Sequence, residues 1–324
     1  MKKKILFIIT LIIGILITYF IYSNIDLFSF LKYLLMVLSF KLIPYFFVTF
    51  LINVLLTYKW DLILRAMSYK VPIHNLFFYR IIGNAISYIT PSAHIGGEPA
   101  RAALLKRHNI DFSKGLSTII IDKSIELIFN IFFGIIGMII LIFSYTVPLN
   151  SILIIYSLVL ILAFILFFYY RIIKGLGFFT PILQKLNFKY KYIMKVYEFE
   201  RNTSYFFKFH KNVFYKILII SFLWWVLMFL EYALLLNLFN IKINFINVFL
   251  VIAGVGVAYA MPLPAALGVL EAFQISVFKF IKLNSAYAVV VSIVIRLKDV
   301  LWTIIGLLLL SYYGVKIKIL NGNK

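Results

Sequence analysis

Six carboxylates in this chain fall where water is scarce, and they bound the chemistry it can do. Glu98, Asp122, Glu126, Glu231, Glu271 and Asp299 lie within or between apolar runs, where a charge costs a few kcal/mol unless it is paired or wet. Glu98 stands in a break in the apolar sequence, residues 90–107, TPSAHIGGEPARAALLKR. Gly96 and Gly97 let the backbone turn and approach a neighbour closely, and Pro99 fits the first helical position, where its missing N–H costs nothing. The resulting helix N-terminus, aimed into a membrane, carries about half a positive charge and free N–H groups, so a lipid phosphate is a natural ligand. Arg101, one turn on, can hold the same phosphate bidentately. The alternative is that Glu98 caps its helix and Arg101 pairs with it. His94, in the same loop, reads as a hydrogen-bonding group ahead of a proton carrier.

The break occurs twice. Setting Gly83-Asn-Ala-Ile-Ser-Tyr-Ile-Thr-Pro91 on Gly254-Val-Gly-Val-Ala-Tyr-Ala-Met-Pro262 superposes the glycines, Tyr88 on Tyr259, Pro91 on Pro262 and then Gly97 on Gly268, at a constant shift of 171 residues. A carboxylate follows each later glycine, Glu98 at once and Glu271 three residues on. Two positions off the same alignment, Lys123-x-x-Glu126 faces Arg296-x-x-Asp299. Each basic-x-x-acidic step lies on one helix face and is spaced to pair locally. These four residues either fix helix packing or line a pathway. Glu231 and Asp122 have no evident partner in sequence; each is either a protonated, hydrogen-bonded carboxyl or a proton-coupling site.

The elements that must position these groups are membrane helices. Apolar residues make up 64% of the chain and mean hydropathy is +1.04, which excludes a soluble class. The apolar runs are continuous and about twenty residues long, unlike the alternating ten-residue segments of a barrel. A net charge of +21 flanks these runs, matching anionic headgroups and not nucleic acid. With no cysteine and four scattered histidines, no disulfide, metal site or cofactor is expected. No nucleophile elbow, phosphate loop or dinucleotide fingerprint is present, so no catalytic residue is assigned.

The expected fold is all-α and polytopic, a single integral-membrane domain over 1–324 with about six spanning helices and two re-entrant helical hairpins. Spans are expected at 5–22, 42–64, 116–143, 151–170, 217–239 and 286–312, with an interfacial helix at 29–38. The hairpin arms are 76–89 with 99–107, and 248–260 with 269–280. Arms of nine to fourteen residues reach about 13–21 Å, short of a hydrocarbon core of about 30 Å, so the chain must turn back. With both termini cytoplasmic, 24 Lys and Arg fall inside and five outside, as the positive-inside rule requires. The basic loop 171–216 is then cytoplasmic. Repeat one, about 1–145, starts inside and repeat two, about 146–315, starts outside, so the repeats are inverted. Discontinuous helices meeting in an inverted repeat are an architecture of transporters.

PSAHIGGEPARAALLKR followed by IIIDKSIELI, and PLPAALGVLEA followed by IVIRLKDVLW, resemble the flippase-like membrane domain of lysylphosphatidylglycerol synthases and of stand-alone members of that family. The resemblance covers nearly the whole chain. It implies transbilayer movement of an anionic, aminoacylated, glycosylated or polyprenyl-linked lipid in the cytoplasmic membrane. It also places Gly97, Glu98, Arg101, Gly268, Glu271 and Arg296 on the family's characteristic positions. The alternative is an integral-membrane enzyme or accessory subunit that modifies a lipid or lipid-linked sugar headgroup, and transport is expected ahead of catalysis. The chain has no room for the soluble aminoacyl-transferase domain of the synthases, so lysyl transfer is not expected of it. Ala265 and Ala266 stand where the family tends to have glycines, which implies a stiffer second turn. Partners beyond lipid would be a second copy of the chain or a lipid-modifying enzyme.

Overall fold

A computed structural model describes residues 2–23, 28, 31–32, 35, 40, 42–91, 96–144, 156, 159–164, 166–167, 170–171, 174, 176–186, 190–241 and 244–322, and every regular element among them is helical. In chain order these are α1 (Lys2–Ser23), α2 (Leu42–Ala66), α3 (Ile73–Ile89), α4 (Glu98–Leu105), α5 (Phe112–Ser144), α6 (Phe179–Lys185), α7 (Tyr190–Phe209), α8 (Lys211–Asn237), α9 (Phe245–Ala260), α10 (Val269–Phe280) and α11 (Ser285–Gly322). Short 3-10 turns follow α4 at Lys106–His108 and precede α10 at Pro264–Ala266. Half of the span expected at 151–170 and most of the interfacial helix expected at 29–38 lie outside the described residues. Among the described residues, α2 and α8 are long and apolar enough to cross a membrane by composition alone. Helices α5 and α11, of 33 and 38 residues, interrupt their apolar runs with the charged residues singled out above.

The helix ends repeat a local rule. A residue in the left-handed region closes α2 at Ser68 (φ 64°), α8 at Asn240 (φ 53°) and α10 at Lys282 (φ 59°). The next N–H then reaches back to a carbonyl five residues earlier, Tyr69 to Leu64 at 2.9 Å, Ile241 to Leu236 at 3.3 Å and Leu283 to Phe278 at 2.8 Å, satisfying carbonyls that a helix end leaves open. Asn109 (φ 58°) closes the 3-10 turn after α4. Ser68 and Asn240 are 172 residues apart, and Asn109 and Lys282 are 173 apart. A spacing close to the 171-residue shift of the sequence thus recurs in the backbone stops.

The chain forms two compact units, one of residues 1–53, 78–100 and 227–324, the other of 54–77 and 101–226. In the first, close packing depends on small residues, as expected where lipid removes the hydrophobic drive between helices. A Cβ on Gly306 of α11 would fall 2.5 Å from the Ala85 Cβ of α3, and one on Gly14 of α1 would fall 2.8 Å from the Leu267 Cβ. In the second unit, Ile63 and Met67 of α2, Ile121 and Ile125 of α5, Phe206 of α7 and Ile217 of α8 form one buried cluster. Phe133 of α5 stacks on Trp225 of α8 at 4.3 Å.

The segment expected as a basic loop, 171–216, is largely helical. Hydrophilic composition hides an apolar stripe: Phe199, Thr203 and Phe206 recur at helical spacing and are buried. Glu200 on α7 caps α6. Its carboxylate accepts from the N–H groups of Phe178 (2.7 Å), Phe179 (2.6 Å) and Thr180 (3.4 Å) and from the Thr180 hydroxyl (2.6 Å).

Candidate functional site

In the second unit, α2, α4 and α5 together bury an ionic cluster. Lys59 is fully buried, with its ammonium 3.0 Å from Asp122 Oδ1, 3.1 Å from Glu126 Oε1 and 3.3 Å from the Asp122 carbonyl. Arg101 donates from Nη2 to Asp122 Oδ2 at 3.2 Å, and its guanidinium stacks 4.0 Å over the ring of Trp60. Trp60 in turn donates its indole N–H to the Thr118 hydroxyl at 3.2 Å. Lys123 reaches Glu126 Oε2 at 3.1 Å along α5. Asp122 thus bridges two cations from separate helices. Its buried charge is tolerable because each oxygen faces one of them.

In the first unit, Arg296 of α11 is a clamp on the turn before α10. Nε and Nη2 donate to Glu271 Oε1 and Oε2 at 2.5 and 2.8 Å, while Nη1 and Nη2 donate to the carbonyls of Ala265 and Ala266 at 2.9 and 3.2 Å. Ala265 and Ala266 both have positive φ, 51° and 47°. An L-residue with a Cβ loses about 1–2 kcal/mol in that conformation, and the two carbonyls held by one guanidinium offset it. Gly268 also has positive φ, 74°, and a Cβ there would fall 2.6 Å from Ile17 of α1. The i,i+3 spacing suggested that Arg296 pairs with Asp299. Arg296 turns instead to Glu271, because the fork can satisfy a carboxylate and two carbonyls at once.

Asp299 faces other groups. It accepts from the hydroxyl of Tyr259 on α9 and lies 3.9 Å from the Lys298 ammonium. Lys298 donates to Glu231 Oε1 on α8 at 2.8 Å, where the Thr49 hydroxyl also donates at 3.2 Å. The Lys298 ammonium sits 5.8 and 5.7 Å from the ring centroids of Tyr45 and Tyr232, close enough for cation–π attraction.

The two arms of the first hairpin touch through bare backbone. A Cβ on Gly97 would fall 1.9 Å from the Gly83 carbonyl oxygen, so only glycine fits this approach. The Gly97 N–H donates to the Ser87 hydroxyl at 2.8 Å. Gly96 lies in the turn and Glu98, buried, opens α4. His94 lies outside the described residues. In the second hairpin, Gly254 admits Gln274, whose amide donates to the Val251 carbonyl at 3.0 Å. Tyr88 of the first hairpin and Tyr259 of the second both lie in electrostatic reach of Arg296. The structure thus brings residues at equivalent positions of the two breaks to one guanidinium, within one unit.

Lys59, Trp60 and Lys298 were not singled out from sequence, yet a signal for the two lysines exists. A shift of 172 residues carries Lys59 onto Glu231 and Glu126 onto Lys298. Each member of the Lys59–Glu126 pair therefore corresponds to a residue of opposite charge in the Glu231–Lys298 pair. Likewise Arg101 with Asp122 corresponds, within a few positions, to Glu271 with Arg296. The ionic joints match with reversed polarity: in those of the second unit α5 supplies the acids to α2 and α4, and in those of the first unit α11 supplies the cations.

Comparison with known proteins places this chain in a family. The model of the Lysylphosphatidylglycerol synthase TM region matches residues 7–306. A UPF0104 membrane protein of Methanothermobacter thermautotrophicus is 26% identical over 287 residues, spanning 82% of this chain and 83% of that protein. A second UPF0104 membrane protein, from Methanocaldococcus jannaschii, is 31% identical over 90 residues, 27% of this chain and 26% of that protein. No solved structure matches. With the match running over all but its two ends, this chain is an all-helical membrane protein and belongs to the lysylphosphatidylglycerol synthase TM region family.

Proposed function

We propose that this chain moves a lipid with a charged or glycosylated headgroup across the cytoplasmic membrane, along a path beside the two hairpin turns of the first unit. The observation that carries this reading is that Tyr88 and Tyr259, equivalent residues of the two breaks, both lie in electrostatic reach of Arg296. A headgroup needs polar groups at membrane depth, and irregular backbone is tolerated there only where protein or a wet cavity surrounds it. Arg296 and Asp299 retain 16% and 18% side-chain exposure, so this group is reachable from outside the protein. The family match supports a lipid-related role, and the paired backbone stops at Ser68 and Asn240 support two repeats of one unit. Both termini are cytoplasmic on this reading, the repeats are inverted, and the hairpins re-enter from opposite sides. Gly96, Gly97, Glu98 and Gly268 shape the turns.

Reconstitution tests the proposal. Liposomes carrying labelled anionic and aminoacylated lipids are prepared with and without the purified chain, and inner-leaflet label is followed as it becomes accessible to an impermeant quencher. The chain accelerates the movement of at least one of these lipids. Rates equal to protein-free liposomes for every lipid class would reject the reading.

A further inference from the structure

We propose a proton-binding site in the first unit: the carboxylate of Asp299, set among Tyr259, Lys298 and Glu231, takes up and releases one proton and so couples the lipid movement proposed above to a proton gradient. Charge and geometry carry it. Among the described residues the set around Asp299 holds three carboxylates, Glu231, Glu271 and Asp299, against two cations, Lys298 and Arg296, with Arg296 in electrostatic reach of Asp299. Arg296 is spent on Glu271 and two carbonyls. Lys298 is 2.8 Å from Glu231 but 3.9 Å from Asp299. Asp299 is therefore the acid with the weakest claim on a cation, and with all five groups ionised the set carries one net negative charge. Leaving that charge in a low-dielectric interior is costly, and a proton on Asp299 brings the set to neutrality.

A second observation points to the same place. Among the described residues the Tyr45 hydroxyl is buried without a hydrogen-bond partner, and Lys298, Glu231, Tyr232 and Asp299 are its charged or titratable neighbours. A buried hydroxyl left open toward an ionic set is a station for water or a proton in transit. The groups facing Asp299 are Tyr45 from α2, Tyr88 from α3, Glu231 and Tyr232 from α8, and Tyr259 from α9, besides Lys298 and Arg296 on its own helix. The 18% exposure of the Asp299 side chain gives the proton a way in. A proton fits better than a metal ion. Among the described residues no three metal-binding side chains converge, and a metal at Glu231 would have to displace an ammonium already in place. When the proton arrives it bonds to one carboxylate oxygen of Asp299; when it leaves, the Tyr259 hydroxyl donates to the anion.

The use of this proton rests on the lipid reading, but its binding does not, and the experiment separates them. Infrared spectra of the full chain in phosphatidylglycerol and phosphatidylethanolamine liposomes are recorded as pH is stepped from about 5 to about 9. A protonated-carboxyl band is expected that fades as pH rises and is missing in Asp299→Asn. Tyr259→Phe, which keeps the ring and removes only the donor to the ionised acid, should move the midpoint upward by about one unit, a tenfold gain in proton affinity. A band that ignores pH, a band that survives Asp299→Asn, or a midpoint unmoved in Tyr259→Phe would overturn the site. Since no lipid movement is measured, either proposal can fail alone.

Discussion

Substituting alanine for single glycines separates the close approach within the first hairpin from ordinary helix packing. At Gly97 the new Cβ would fall 1.9 Å from the Gly83 carbonyl oxygen and 2.8 Å from its Cα. Real Cβ contacts do not come under about 3 Å, so one arm must shift by about 1 Å. The obstacle is backbone, and no rotamer change relieves it. Overpacking costs about 1–3 kcal/mol, and Gly97→Ala belongs at the upper end. At Gly254 the neighbours are side-chain atoms of Gln274 and Val277 at 3.1 Å, which can yield, and at Gly256 nothing lies within 4 Å. Gly256→Ala should be neutral or stabilising by up to about 1 kcal/mol, the helix-propensity gain. Melting of the purified variants in one detergent should therefore rank Gly97→Ala lowest, Gly254→Ala intermediate and Gly256→Ala at or above wild type. Gly97→Ala melting with wild type would refute the contact between the arms.

Three further perturbations test the ionic joints and the cap. Lys59→Met removes the cation that Asp122 and Glu126 share, and breaking a buried pair from one side should cost about 3–5 kcal/mol, read as lost melting temperature; neutrality would mean the cluster is hydrated. Arg296→Lys cannot hold Glu271 and two carbonyls together, so protease cleavage or thiol labelling at a cysteine placed at position 265 should rise several-fold over the Arg296 parent. Unchanged reactivity would show that the turn holds itself. Glu200→Ala strips α6 of its cap and should cost about 1–2 kcal/mol, with amide exchange at 178–180 accelerating; slow exchange there would refute the capping role.

Sequence patterns revealed some of this directly and concealed the rest for physical reasons. Helix extents were readable because apolar runs and Gly, Pro and Asn punctuation are local signals: α2 and the arms α3, α9 and α10 fall within about three residues of their expected ranges, and α8 begins about six residues early. Gly97 was readable because a glycine pair before Glu-Pro has few other uses. The partner of Arg296 was not. Asp299 at i+3 was the local candidate, whereas Glu271 lies 25 residues away in sequence and becomes a neighbour only through the turn that Arg296 holds. Lys59 escaped notice because it sits near the end of an apolar run, where a lysine ordinarily meets headgroups; its burial depends on two acids contributed by α5. Helix α7 was hidden by composition, since ten basic residues in 171–216 outweigh a narrow apolar stripe.

Lipid that passes beside Tyr88 and Tyr259 must stop when the two positions are joined. The chain has no cysteine, so Tyr88→Cys and Tyr259→Cys can be combined and joined by a short, cleavable thiol linker. With cross-linking confirmed by gel shift, lipid movement in liposomes should stop and should return when the linker is cleaved. Movement at the same rate in the joined and cleaved states would contradict the account.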